Sequence, residues 1–208
     1  MIDPTRVFLL RHGETAWNAE QRLQGHADVE LNELGRWQAR RLAETLAAED
    51  VAALYSSDLR RALDTARALA EISGQPVHTD SALRERAFGF LEGLTYDEID
   101  ARFPEDALRW RRREPDFAPG GGETMNGFSA RSLAAVTRLA AAHPGQAIAV
   151  FAHGGVLDCV YREALGLGLA VSRSWQLGNA SINRLLFTGS RFTVLGWDDR
   201  GHLEPQPG

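Results

Sequence analysis

This chain of 208 residues contains no lysine; all 23 of its basic residues are arginine. Lysine-dependent chemistry, such as Schiff-base formation or the lysine of a Walker-type loop, is therefore excluded. Arginine remains as the cation, and its planar fork suits oxyanions gripped by two hydrogen bonds at once. Cysteine is nearly absent as well. Cys159 stands alone, which rules out an internal disulfide and a cysteine metal cluster. Its place in the apolar pattern Val156, Cys159, Val160, Ala164 marks it as a buried core thiol. The six histidines are scattered, with no H-x-x-x-H spacing on a helix, so neither metal nor cofactor is expected. No apolar run is long enough to span a bilayer. The opening residues MIDPTRVFLL lack the charged and apolar regions of a signal peptide, so a cytoplasmic protein without a membrane partner is expected. A net charge of −5 argues against a nucleic-acid surface. The 44% of hydrophobic residues is enough for one compact domain over residues 1–208, as a monomer or a homodimer.

Apolar periodicity lays out the elements. Val7-Phe8-Leu9-Leu10 reads as a short buried strand. Asn32 can cap a helix to about Glu49, with Leu34, Trp37, Leu42 and Leu46 on its apolar face. Residues Val51 to Ser56 read as a second strand; Ser57 or Asp58 then caps a helix through Ile72 that Gly74 stops. Pro76 to Thr79 is a third strand, and the alternation implies parallel βαβ units. Residues 80–124 break this pattern. Thr95-x-x-Glu98 is a capping box for a short helix ending near Phe103, Trp110 to Arg113 lie on another, and Gly120-Gly121-Gly122 is a loop. A helix from about Asn126 to His143, a buried strand from Ala147 to Phe151 and a helix to about Leu165 follow. Strands Ser181 to Phe187 and Phe192 to Trp197 close the chain as a hairpin around Gly189-Ser190. The predicted fold is an α/β three-layer sandwich: a mostly parallel central sheet flanked by helices, with a helical cover over the sheet's C-terminal edge.

Two strands end in histidine followed by glycine, Leu10-Arg11-His12-Gly13 and Ala152-His153-Gly154-Gly155. A buried strand that ends in Arg11 and His12 needs a reason, because buried charge is costly unless paired. In parallel sheets ligands bind beyond the carboxyl ends of strands, so both histidines fall on the ligand side. Arg60 or Arg61 sits on the first helical turn after the second strand, near the same edge. Helix-start amides after Ser57 and at Gly154 add a partial positive field. Histidines, arginines and helix N-termini at one edge make a phosphate site, and an imidazole nitrogen can attack phosphorus.

Arg11-His12-Gly13-Glu14-Thr15 resembles the RHGE signature of the histidine phosphatase superfamily, also called phosphoglycerate mutase-like. The likeness runs along nearly the whole chain in order. Gln24-Gly25-x-x-Asp28 with Leu31-Asn32-x-x-Gly35 resembles QGxxDxxLTxxG, and Ser56-Ser57-Asp58-Leu59-Arg60-Arg61-Ala62 resembles SSxLxRA. Leu83-x-Glu85 with Gly89 and Glu92-Gly93 resembles LxExxxGxxEG. Gly121-Gly122-Glu123-Thr124 resembles GGES, and Ala152-His153-Gly154-Gly155 resembles SHGG. The resemblance implies roles. His12 is the nucleophile, with its other nitrogen fixed by a backbone hydrogen bond. Arg11, Arg61 and His153 hold the phosphoryl oxygens. Arg61 is chosen over Arg60 because the family arginine directly precedes alanine. Glu85 protonates the leaving alcohol and then activates water, while alternation turns Arg84 and Arg86 to the other face. Asn18, Gln24, Thr124 and the Gly154 amide contact phosphate or substrate. His26, His78, His143 and His202 match no motif position and read as ordinary surface residues.

The implied activity is hydrolysis of phosphomonoesters of small metabolites through a phosphohistidine, without metal. The alternative within the family is a cofactor-dependent phosphoglycerate mutase. Against it stand Gln24-Gly25-His26 in place of TGW, Gly154-Gly155 in place of the mutase AHGNS pattern, and no lysine for a substrate carboxylate. In its favour, Trp110-Arg111-Arg112 with Pro115 and Pro119 resembles a mutase WRR segment, so Arg111 to Arg113 offer a second anion site. An α-ribazole phosphatase is a narrower option. A metal-dependent hydrolase using His12, His26, Asp28 and His153 fits no zinc spacing, and a non-catalytic phosphate-binding module would require loss of a catalytic residue.

Overall fold

The structure is a computed structural model that describes residues 3–204. Strands β1 (Thr5–Arg11), β2 (Val51–Ser56), β3 (Val77–Thr79), β4 (Ala147–Ala152), β5 (Ile182–Phe187) and β6 (Phe192–Asp199) form one sheet in the order β3-β2-β4-β1-β5-β6. The first four are mutually parallel, and β5 and β6 return antiparallel as a hairpin. The sheet is therefore mostly parallel, as the alternation of elements required. Helices α2 (Glu33–Leu46) and α3 (Arg60–Ser73) cover one face. Helices α6 (Met125–Ala141) and α7 (Gly154–Leu165) cover the other. Strand alternation divides the core between them: Val7 and Leu9 pack towards α6 and α7, Phe8 and Leu10 towards α2 and α3. Burying each such side chain is worth about 1.5–3 kcal/mol, so a one-residue slip of β1 would exchange both faces at once.

Two helices sit differently from their sequence patterns. In α2, Leu42 and Leu46 are buried, but Leu34 and Trp37 are 45% and 37% exposed. The buried stripe runs through Gly35, Gln38 and Ala39. Gly35 is turned inward because its Cα lies against the backbone of Gly13 and Glu14, where a Cβ would overlap the Glu14 carbonyl. This close approach is also what Gly13 is needed for. Helix α3 begins at Arg60, not after Ser57; its N-cap residue Leu59 offers no side-chain bond. Asp28 caps the helix from another segment instead, accepting the Arg60 amide at 2.7 Å.

Residues 80–124 form the cover. Helix α1 (Ala16–Ala19) precedes them, and α4 (Tyr96–Arg102) and α5 (Pro104–Arg111) lie within them, joined by 3₁₀ turns. Thr95 and Glu98 make the expected capping box. Leu23, Leu91, Ile99 and Ala107 form a small separate core, on which Phe88 and Trp110 stack at 4.9 Å. Helix α5 ends at Arg111, so Arg112 and Arg113 lie past it. Among the described residues no helix is long and apolar enough to cross a membrane.

Candidate active site

Strands β2, β4 and β1 are neighbours and parallel, so their carboxyl ends open on one edge. His12 leaves β1 there, His153 leaves β4, and Ser57 leaves β2 with Arg61 on the first turn of α3. The His12 and His153 rings stand 5.2 Å apart, and both are buried. His12 Nδ1 lies 2.7 Å from the Gly13 carbonyl and donates to it, which leaves the lone pair on Nε2. Burial, with Arg61 and Arg11 adding repulsion, holds the ring well below its ordinary value, so it is neutral at pH 7. Burial lowers His153 in the same way, with Arg61 adding repulsion. The Ser57 hydroxyl is 2.8 Å from His153 Nε2. With the single proton of the neutral ring on Nδ1, Ser57 donates to Nε2.

Among the described residues neither that Nδ1 nor Arg11 Nε nor Arg61 Nε has a partner, and all three are buried. Leaving one such donor unsatisfied costs about 1–3 kcal/mol, so a set around one imidazole marks a place for an oxyanion. The guanidinium ends are anchored elsewhere. Arg61 donates to the Ala27 and Gly25 carbonyls, each at 2.8 Å, and Arg11 to the Leu177 carbonyl. Burial pulls the Arg61 pKa down to about 10, which still leaves the group charged at neutral pH. Arg60 points to the surface and pairs with Glu30 at 2.6 Å, so Arg61 is the arginine that faces the site.

Main-chain bonds fix this edge. The Gly13 amide donates to Thr65 Oγ1 at 3.0 Å, and Asn179 Nδ2 donates to the His12 carbonyl at 3.1 Å. The Thr15 hydroxyl is 3.0 Å from both Asn18 Oδ1 and Gln24 Oε1. Asn18 and Gln24 therefore spend their oxygens on the fold, and both residues line the cleft.

Glu85 reaches the edge from the cover. Its Oε2 accepts the Gly155 amide at 2.9 Å, and its Oε1 accepts the Arg86 amide at 2.8 Å. A Cβ at 155 would overlap Glu85 Oε1 and meet Phe128 at 2.9 Å, so the Glu85 carboxylate would have to move. A second set of bonds holds the segment that carries Glu85. Arg131 donates to the Ala82 and Arg84 carbonyls at 2.9 and 3.1 Å, and to that of Glu85 at 3.3 Å. Glu123 pairs with Arg131 at 2.7 Å and accepts the Ala87 amide at 2.9 Å. His26 is not an ordinary surface residue, because its Nε2 lies 2.8 Å from the Glu85 carbonyl. His202 is also half-buried, and burial lowers its pKa. Arg84 does turn away, to Asp58. Arg86 does not: it lines the cleft, with its guanidinium held by the Glu123 and Phe117 carbonyls.

The cleft above the edge has a volume of about 270 Å³ and is walled by Arg11, His12, Asn18, Gln24, Glu85 and Gly154, among others. Thr124 is not in this wall. Its hydroxyl caps α6 by accepting the Gly127 amide at 3.0 Å, and that bond fixes it away from the cleft. Arg111 is also outside, paired with Asp100 at 2.5 Å, whereas Arg113 lines the far end. Ser57, which the sequence offers only as a helix cap and a motif position, belongs to the site or its support together with Asn179, Arg131 and Arg173. Ser57 could have been found as a hydroxyl at a strand end facing the ligand side; the others carry no local signal. Among the described residues no three His, Cys, Asp or Glu side chains stand together as metal ligands would.

The sequence profile of the histidine phosphatase superfamily (branch 1) matches residues 7–200. Phosphoglycerate mutase-like protein 4 of Arabidopsis thaliana is 41% identical over 208 residues, covering 98% of this chain and 89% of that one. A metal-independent phosphoserine phosphatase of the same plant is 38% identical, covering 96% and 83%. The structure of a mycobacterial glucosyl-3-phosphoglycerate phosphatase in complex with VO3 superposes with a TM-score of 0.83 at 39% identity, covering 93% of this chain and 98% of that one. The buried histidine pair, the two arginines aimed beside it and the glutamate under the cover thus sit on a fold shared with these proteins: the chain belongs to the histidine phosphatase superfamily.

Proposed function

We propose that the chain acts as a single catalytic domain that hydrolyses phosphomonoesters of small metabolites through a phosphohistidine on His12. The observation that carries this reading is the neutral His12 ring, with Nδ1 committed to Gly13, at the same sheet edge as the buried Arg11 Nε, Arg61 Nε and His153 Nδ1, which have no partner among the described residues. In the first step the Nε2 lone pair attacks phosphorus and the ester P–O bond breaks. Its electron pair leaves on the alcohol oxygen, which takes the proton of Glu85. Arg11 Nε, Arg61 Nε and His153 Nδ1 donate to the equatorial oxygens as charge builds on them. In the second step Glu85 takes a proton from water, the water oxygen attacks phosphorus, and the N–P pair returns to Nε2. Inorganic phosphate and the alcohol are the products. The arginines and helix amides supply the positive field, so the reaction needs no metal; the name of the plant phosphoserine phosphatase relative agrees.

Trapping the intermediate tests the reading. A brief reaction with ³²P-labelled ester should leave label on the wild-type chain that is stable to alkali and labile to acid, as a phosphoramidate is. His12→Ala should carry no label and lose nearly all turnover, about 10⁶-fold in the worked hydrolase case. Label with the reverse stability would indicate an acyl phosphate and overturn the assignment. The name of the mutase-like relative favours a second reading, phosphoglycerate mutase. Isomerisation of 3-phosphoglycerate, primed by 2,3-bisphosphoglycerate and faster than its hydrolysis, would select it.

A further inference from the structure

Strand β6 loses its regular pairing near its end. Ile182 of β5 pairs with Asp199 and Arg184 with Gly196, so Trp197 and Asp198 together stand opposite Asn183. This is a β-bulge, and a bulge re-aims the side chain it carries. Asp198 has a φ of 51°, a backbone conformation that Asp and Asn adopt more readily than most residues other than glycine. Its amide donates to Asn183 Oδ1 at 2.8 Å, and Asn183 Nδ2 donates to the Leu9 carbonyl at 3.0 Å. Side-chain hydrogen bonds thus tie the bulge to β1, the strand that leads into Arg11 and His12.

The re-aimed carboxylate meets one peptide group on the loop between α7 and β5. Asp198 Oδ1 accepts the Gly178 amide at 2.6 Å, and Arg200 pairs with Oδ2 at 3.1 Å. The carbonyl of that same peptide belongs to Leu177 and accepts Arg11 Nη1. A carboxylate on the N–H polarises the peptide and strengthens its carbonyl as an acceptor. The next residues hold the backbone beside Arg11: the Ala180 amide donates to the His12 carbonyl at 3.1 Å, and the Arg11 amide to the Ser181 carbonyl at 3.3 Å. With Nη1 anchored on Leu177, Arg11 Nε has no partner among the described residues, and a Cβ on Gly154, the first residue of α7, would lie 3.6 Å from it. Burial lowers the Arg11 pKa, and the charges of Glu85 and Asp198 act against that shift.

Resting on the phosphatase reading, we propose that Asp198 is a positioning residue for phosphoryl transfer: through the Leu177–Gly178 peptide it fixes the Arg11 guanidinium so that Nε donates to a phosphoryl oxygen. Asp198 itself touches neither substrate nor the reacting atoms, so its whole effect passes through Arg11. The Arg11 bond gains most as charge builds on the equatorial oxygens, and its misalignment therefore falls on kcat more than on KM.

A double-mutant cycle with Arg11 tests the proposal. Asp198→Gly removes the carboxylate, suits the positive φ, and keeps the backbone bond to Asn183, so the bulge is preserved. On p-nitrophenyl phosphate it should lower kcat by roughly 10- to 100-fold, since a misplacement of about 1 Å can cost 10²-fold, with a smaller change in KM. Asp198→Asn keeps an acceptor for the Gly178 amide without the charge and should lose less. In an Arg11→Ala background Asp198→Gly should lower kcat by less than about twofold, because no guanidinium remains to be aligned. Binding of orthovanadate, measured by calorimetry across the same four proteins, should show the same non-additivity whether or not an ester is turned over. An equal loss in both backgrounds, or no loss in Asp198→Gly, overturns the role of Asp198 and leaves the phosphatase reading standing. A wild type that binds orthovanadate but hydrolyses no phosphomonoester overturns the phosphatase reading, and the orthovanadate cycle then decides by itself whether Asp198 positions Arg11.

Discussion

Acidification from about pH 7.5 to about pH 5 should destabilise the protein while its nucleophile stays unprotonated. In the folded chain burial, then nearby charge, keeps His12 and His153 far below the ordinary histidine range. In the unfolded chain each ring titrates near ~6.5. Below that value the unfolded state binds protons that the folded state does not, so the stabilising contribution is complete above ~6.5 and is lost as the pH falls. The slope has an upper limit of about 1.4 kcal/mol per pH unit for each ring, against the roughly 5–15 kcal/mol typical of a domain. His202, lowered by its own burial, adds to the slope with the same sign. Urea unfolding followed at half-unit steps of pH measures the effect, and His12→Asn and His153→Asn should each flatten it. Activity should behave differently, since kcat/KM, corrected for substrate ionisation, should show no acid limb near ~6.5 from His12. Stability that stays flat over this range, or a nucleophile limb near ~6.5, would show that the rings titrate freely and that the burial argument is wrong.

Glu85→Gln should slow hydrolysis of alkyl phosphates by roughly 10²–10⁴, with a much smaller loss on p-nitrophenyl phosphate, whose leaving group needs little protonation. Equal losses on the two ester types would make Glu85 a positioning group. Gly155→Ala should lower kcat at least tenfold, because the new Cβ occupies the space of Glu85 Oε1; unchanged kcat would refute the placement of Glu85 against α7. Glu123→Gln keeps the shape but loses the Arg131 ion pair, so kcat should fall several-fold on alkyl esters and far less on p-nitrophenyl phosphate, whereas equal falls would indicate general unfolding of the cover.

The sheet edge was legible in the sequence because its signals are local. Four apolar residues followed by Arg11-His12-Gly13, and again Ala147 to Ala152 followed by His153-Gly154, mark strand ends by composition alone. The parallel order of β1, β4 and β2 then brings those ends together. What was missed depends on contacts between distant segments. Asp28 caps α3 from 32 positions away, and no motif at Ser57 or Asp58 could reveal that they are not the cap. Leu34 and Trp37 fit an apolar face, but the approach of Gly35 to Gly13 rotates α2 away from it. Thr124 resembles a ligand position in a motif, yet its hydroxyl is used by the start of α6. Asn179, which holds the His12 carbonyl, stands in a loop with no pattern around it.

The two halves of the site are held by different means, and this bears on how one fold serves several esters. The half around His12 rests on adjacent parallel strands, main-chain hydrogen bonds and two layers of buried side chains, so displacing His12 would disturb the sheet itself. The opposite half of the cleft rests on a cover whose own core is Leu23, Leu91, Ile99 and Ala107. Glu85 belongs to both, since its carboxylate is bonded to α7 and its backbone to Arg131 and His26. Side chains of the cover can therefore vary with the substrate while the distance from Glu85 to His12 is kept. The relatives share the superfamily and most of the chain length, yet their names point to phosphoserine in one case and a glucosylated phosphoglycerate in another. Differences between them should therefore concentrate on the cleft walls that the cover supplies.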